Sequence, residues 1–73
     1  MKANVIQIDK RALAAELATW RLRTGRTQQE AADMFRVSRY SILRVENCKD
    51  VGIAMAYRIS AALAKAIREE QQL

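Results

Sequence analysis

Nine of the 13 basic side chains in this chain are arginine, and three of them, Arg36, Arg39 and Arg44, fall in "TQQEAADMFRVSRYSILRVEN", residues 27–47. Arginine carries a planar fork of N–H donors that grips phosphate oxygens or the O6 and N7 of guanine through two bonds at once. Arg39 and Leu43 are four residues apart, as are Tyr40 and Arg44. On a helix that spacing puts all four side chains on one side. Ile42 and Val45, three apart, then point the other way, into a core. A helix of this kind presents cations, a ring and a small apolar group to whatever lies outside it. The chain as a whole carries 13 basic and 8 acidic residues, a surplus of five. A basic balance of this size in a small domain favours nucleic acid as the partner.

Other chemistries are poorly supplied. There is no histidine, so no imidazole acid, base or metal ligand is expected. A single cysteine, Cys48, allows no internal disulfide and makes a structural zinc site untenable. No paired carboxylates or phosphate-cradling glycine loop occur, so neither an enzyme nor a bound cofactor is expected. The longest apolar run falls far short of the roughly 20 residues a bilayer span requires. No signal peptide is visible, and one thiol fits a reducing compartment. A cytoplasmic, non-membrane protein is expected.

These side chains need rigid elements to hold them, and the composition supplies helix. Proline is absent, glycine occurs only at Gly25 and Gly52, and alanine is abundant. Seventy-three residues make one domain with a thin core. Residues 1–8, "MKANVIQI", carry Val5, Ile6 and Ile8 and read as a strand, a docking arm or a loose tail. Residues 9–73 form the domain. Asp9 caps the first helix, which shows Leu13, Leu17, Trp20 and Thr24 on one face. Gly25 ends it. Thr27 and Glu30 have the spacing of a capping box that opens a second helix, with Ala31, Ala32, Met34 and Phe35 as its apolar side. Ser38 caps the third helix. Asn47 is expected to end it in the left-handed conformation. The last helix runs from about 52 to 70, with Met55, Ile59, Leu63 and Ile67 at four-residue steps. The expectation is an all-α, compact four-helix domain with a long C-terminal helix; a fifth helix is the alternative.

Two helices joined by a tight turn, the second one basic, describe the helix-turn-helix, here at about 27–47. Residues 20–63 resemble the helix-turn-helix domain shared by phage repressors, Cro proteins and Xre-type regulators. The resemblance is carried by "RLRTGRTQQEAA", by the small Ala32, by the apolar turn residue Val37, by the cap Ser38, by Ile42, Val45, Glu46 and Asn47, and by "YRISAALA". It implies a lambda-repressor-like fold and sequence-specific binding to double-stranded DNA, with the helix at 38–46 in the major groove. On that reading Arg39, Tyr40, Leu43 and Arg44 read base edges, and Leu43 touches a thymine methyl. Gln28 grips a phosphate from the start of the second helix. Ser38 and Asn47 match phosphate contacts. Arg21 and Glu46 match a family pair whose arginine also leans on phosphate. The chain departs from the family in an unbroken last helix, where members often break it and add a fifth, and at three places in the motif. Arg36 stands where the turn usually has glycine, Cys48 replaces the glycine after "E-N", and Asp50-Val51-Gly52 follows where basic residues are common.

One recognition helix covers few base pairs, so a homodimer on two half-sites is expected. Its surface would be the last helix, through Ile59, Leu63 and Ile67, or the arm Val5–Ile8. The leading expectation is a small repressor-like transcription regulator of phage type, controlled by occupancy alone. Two alternatives remain open. One is a protein-interaction module on the same fold, such as an antitoxin or adaptor that meets a toxin or a competing regulator. The other is an architectural or recombination accessory protein.

Overall fold

A computed structural model describes residues 8–71 of the chain. Four helices follow in order: α1 Lys10–Thr24, α2 Gln28–Phe35, α3 Arg39–Glu46 and α4 Ile53–Gln71. The domain is all-α, and no strand occurs among the described residues. Residues 1–7, and with them most of the expected arm at 1–8, lie outside the described residues.

Local chemistry explains each helix limit. The Asp9 carboxylate accepts from the backbone N–H of Arg11 at 2.9 Å and of Ala12 at 3.2 Å, which satisfies donors a helix start leaves bare. Gly25 closes α1 at φ 73°, a left-handed value that costs glycine nothing. At α2 the capping box is complete. Glu30 N–H donates to Thr27 Oγ1 at 3.0 Å, and Thr27 N–H donates to Glu30 Oε1 at 2.9 Å. Ser38 Oγ accepts from Ser41 N–H at 3.0 Å and starts α3.

The turn between α2 and α3 spans only residues 36–38. It closes through Arg36 at φ 60°, ψ 45°, with Val37 N–H bonded to the Ala32 carbonyl at 3.0 Å. A side chain at left-handed φ costs roughly 1–2 kcal/mol relative to glycine, and Arg36 bears it. After α3 the expectation is corrected by one residue. Asn47 keeps φ −96°, and Cys48 takes the left-handed conformation at φ 58°. The reason lies in the bonding of the helix end: Asn47 N–H still serves the last turn, so the chain reverses one residue later.

The core is one cluster drawn from all four helices. Trp20, Leu17, Ile42, Ile59 and Leu63 are its largest fully buried members. Ala31 and Ala32 are also fully buried, and their small size lets α2 sit close to its neighbours. The rings of Trp20 and Phe35 stack with centroids 5.4 Å apart. Met34 departs from the expected apolar side of α2 and is 48% exposed. At 100° per residue it falls off the arc shared by Ala31, Ala32 and Phe35.

Helix α4 does not project beyond the domain. Ala66 is buried and Ile67 is half-buried against the core. Near its end, Glu70 Oε2 accepts from Trp20 Nε1 at 3.1 Å and Glu70 Oε1 from Arg23 Nη1 at 3.1 Å. Arg26 approaches the same carboxylate at 3.9 Å and lies over the Trp20 ring at 5.2 Å. Ala66, Ile67 and Glu70 thus hold the C-terminal half of α4 against the domain, while the side chains between them face solvent.

Candidate nucleic-acid interface

Helix α3 divides cleanly into two sides. Ile42 and Val45 are buried, while Arg39, Tyr40 and Leu43 are exposed. Tyr40 is 64% and Leu43 37% exposed. Arg39 opens the helix, and its guanidinium makes no hydrogen bond or ion pair among the described residues. The three side chains form one outward face directly behind the 36–38 turn.

Arg44 behaves differently from the reading as a free base probe. Its Nε and Nη2 donate to the Asp50 carbonyl at 2.9 and 2.7 Å, and its Nη1 donates to Tyr40 Oη at 3.3 Å. The guanidinium also lies over the Tyr40 ring at 5.6 Å. This two-pronged bond fastens the loop after α3 to the helix. Arg44 therefore clamps residues 47–52 and holds Tyr40 in place. The sequence offered no signal for it, because a backbone carbonyl six residues on carries no residue-specific mark.

Behind α3 lies a polar network. Arg21 Nε and Nη2 donate to the Glu46 carboxylate at 2.7 and 3.0 Å, and Arg21 Nη1 donates to the Arg26 carbonyl at 3.2 Å. Gln28 Nε2 donates to Glu46 Oε1 at 3.1 Å. The pair is largely enclosed, with side-chain exposures of 18% and 10%. Burial alone would raise the Glu46 carboxyl. The hydrogen bonds from Arg21 and Gln28 and the Arg21 charge outweigh that and hold it below the ordinary carboxylate value. The hydrogen bonds that Arg21 donates to Glu46 raise its guanidinium still higher against the opposing effect of burial. Arg21 is thus a neutralised strut between α1 and α3, and Gln28 spends one amide N–H on the same anchor. Gln28 keeps its second amide N–H outside this network.

The remaining phosphate candidates differ from each other. Asn47 is exposed, and its side chain makes no hydrogen bond among the described residues. Ser38 is exposed but its hydroxyl is engaged by Ser41 N–H and shares a 3.1 Å bond with Ser41 Oγ. The expected dimer residues need correction. Ile59 is 0% and Leu63 2% exposed within a single copy, so neither can meet a second copy on its surface. They were spaced as a stripe because one domain's own core uses the same four-residue step. Ile67 is half-buried.

Elsewhere a shallow groove of about 180 Å³ runs between Ile8, Leu13, Val45, Val51, Ile53 and Ala56, with Lys10 and Lys49 at its edge. Among the described residues, no helix is long and apolar enough to cross a membrane. No family model matches this chain, and no curated protein matches it.

Proposed function

We propose that this chain binds double-stranded DNA through α3 and acts as a small, repressor-like transcription regulator. The observation that carries the reading is the outward face of α3. Arg39 stands free at the start of a helix that follows a three-residue turn, with Tyr40 and Leu43 beside it and Ile42 and Val45 anchored beneath. A recognition helix reads base edges with residues near its N-terminus. Arg39 would bond a guanine edge, Leu43 would meet a thymine methyl, and Tyr40, steadied by Arg44, would contact base or sugar. Asn47, and Gln28 and Ser38 through the donors they have left, would meet phosphates. The net surplus of five positive charges supports the approach to a polyanion. Two copies on a palindromic site fit the small footprint of one helix.

The test is selection of bound duplexes from a randomised DNA pool, followed by titration at several salt concentrations. A palindromic consensus and an affinity that falls steeply with salt are expected. Absence of association with any duplex in dilute buffer would defeat the reading. A second reading, a protein-interaction adaptor, is favoured by the exposed Tyr40 and Leu43 on the same face. Such binding would draw on apolar contact and depend weakly on salt.

A further inference from the structure

We infer that Arg36, in the turn before α3, is a second DNA-contacting cation that grips a backbone phosphate beside the groove α3 enters. The inference rests on the DNA-binding reading and deepens it. Four of the nine arginines are engaged within the domain: Arg21, Arg23, Arg26 and Arg44. Within the α2–α3 unit that leaves two, Arg36 and Arg39. Both are exposed, and neither makes a hydrogen bond or ion pair among the described residues. The nearest acidic side chain in sequence, Asp33, accepts from Gln29 Nε2 at 2.9 Å and leaves Arg36 unpaired.

The backbone adds an independent argument. Arg36 sits at φ 60°, where glycine would relieve the turn at no steric cost. Two other left-handed positions of the chain, 25 and 52, are glycine. Strain retained at one residue points to a use for its side chain. Cys48 is strained in the same way but carries no charge, so the case for Arg36 lies in strain joined to a free cation. Placement selects phosphate over a base edge. Arg36 precedes the first residue of α3 by three positions, within about 10 Å of Arg39 along the chain. The major groove is about 12 Å wide. A turn residue that stands outside the groove-entering helix, and no farther than that from its first residue, has the bordering backbone within reach of a long side chain.

The experiment compares the wild type with R36G, R36Q and R36K, using a short duplex of arbitrary sequence across a salt series, with folding checked by circular dichroism. R36G removes both charge and strain, R36Q removes the charge and keeps a side chain in the strained turn, and R36K keeps the charge. Loss of one phosphate contact makes the salt slope shallower by about 0.9 and weakens binding about five- to tenfold near 0.1 M salt. That loss is expected for R36G and R36Q on every duplex, with R36K near wild type. R36G is expected to melt a few degrees higher even as it binds less well. R36Q keeps a side chain in the strained turn, so its loss reports the charge and not the turn geometry. Should R36Q fall on the wild-type curve, the inference is overturned while the DNA-binding reading stands. Should the wild type show no association at low salt, both are overturned.

Discussion

Arg21 on α1 and Glu46 at the end of α3 are locked by two hydrogen bonds of 2.7 and 3.0 Å, although 25 residues separate them in the chain. Gln28 at the start of α2 completes the set at 3.1 Å. One carboxylate therefore fixes the positions of three helices around the proposed interface. Removing it would strand a guanidinium that is mostly hidden from water. Glu46→Gln should cost about 1–3 kcal/mol of stability, since a hydrogen bond to a charged group is being replaced by a weaker one. Urea unfolding measures this, and a midpoint equal to the wild type would show that the network is not holding the helices.

The same carboxylate sets an acid response. Its folded-state value lies below the ordinary 4.5. In the window between the two, the unfolded chain binds the proton and the folded chain does not, so stability rises with pH. The contribution of Glu46 is present in full above the ordinary carboxylate range. It declines as pH falls from about 4.5 through the depressed folded value. Melting of the wild type and Glu46→Gln across this range should show their difference narrowing towards acid.

Arg39 is expected to matter for recognition and not for folding. It is exposed and unpaired. Arg39→Ala should leave the melting temperature almost unchanged and cost about 1–3 kcal/mol on the preferred site, with relaxed preference at one base pair. An equal loss on all duplexes would reassign it to phosphate.

Arg44 should behave in the opposite way. Its bonds go to the Asp50 carbonyl and to Tyr40. Arg44→Ala should release the 47–52 loop and cost about 0.5–1.5 kcal/mol. Hydrogen exchange would read this as faster exchange of Gly52 N–H, which the Asp50 side chain holds at 3.1 Å. Unchanged exchange there would mean the loop is held by other contacts.

Leu63 separates core from interface. Leu63→Ala should cost about 2–5 kcal/mol, the usual range for a buried leucine cut back to alanine. At a temperature where the variant remains folded, analytical ultracentrifugation should find the same oligomeric state as the wild type. A shift towards monomer would contradict its burial in one copy.

Within this chain, the residues that act on their immediate neighbours are legible in the sequence. Asp9, Thr27 with Glu30, and Ser38 mark helix starts because a side-chain oxygen reaches only the next two or three backbone donors. Gly25 marks an end because the left-handed step is a property of one residue. The inward pair Ile42–Val45 followed from the turn of a helix, as did the outward placement of Arg39, Tyr40 and Leu43. The resemblance to a known helix-turn-helix also paired Arg21 with Glu46, and the structure supplied the geometry and the third partner.

Other relationships were settled only by packing. A four-residue apolar step has the same form whether it faces its own domain or a second copy, so Ile59 and Leu63 could not be assigned from spacing. The link from Trp20 to Glu70 joins residues 50 apart and exists only because α4 folds back along α1. The unlike fates of Arg39 and Arg44 depend on where the Asp50 carbonyl comes to rest. Sequence alone thus determined which stretches are helical and most of the apolar side of each, Met34 excepted, because those depend on forces that act over one or two turns. Tertiary structure decided which charges stay free and which are spent, because a charge is quenched by whatever the folded chain brings within about 3 Å of it.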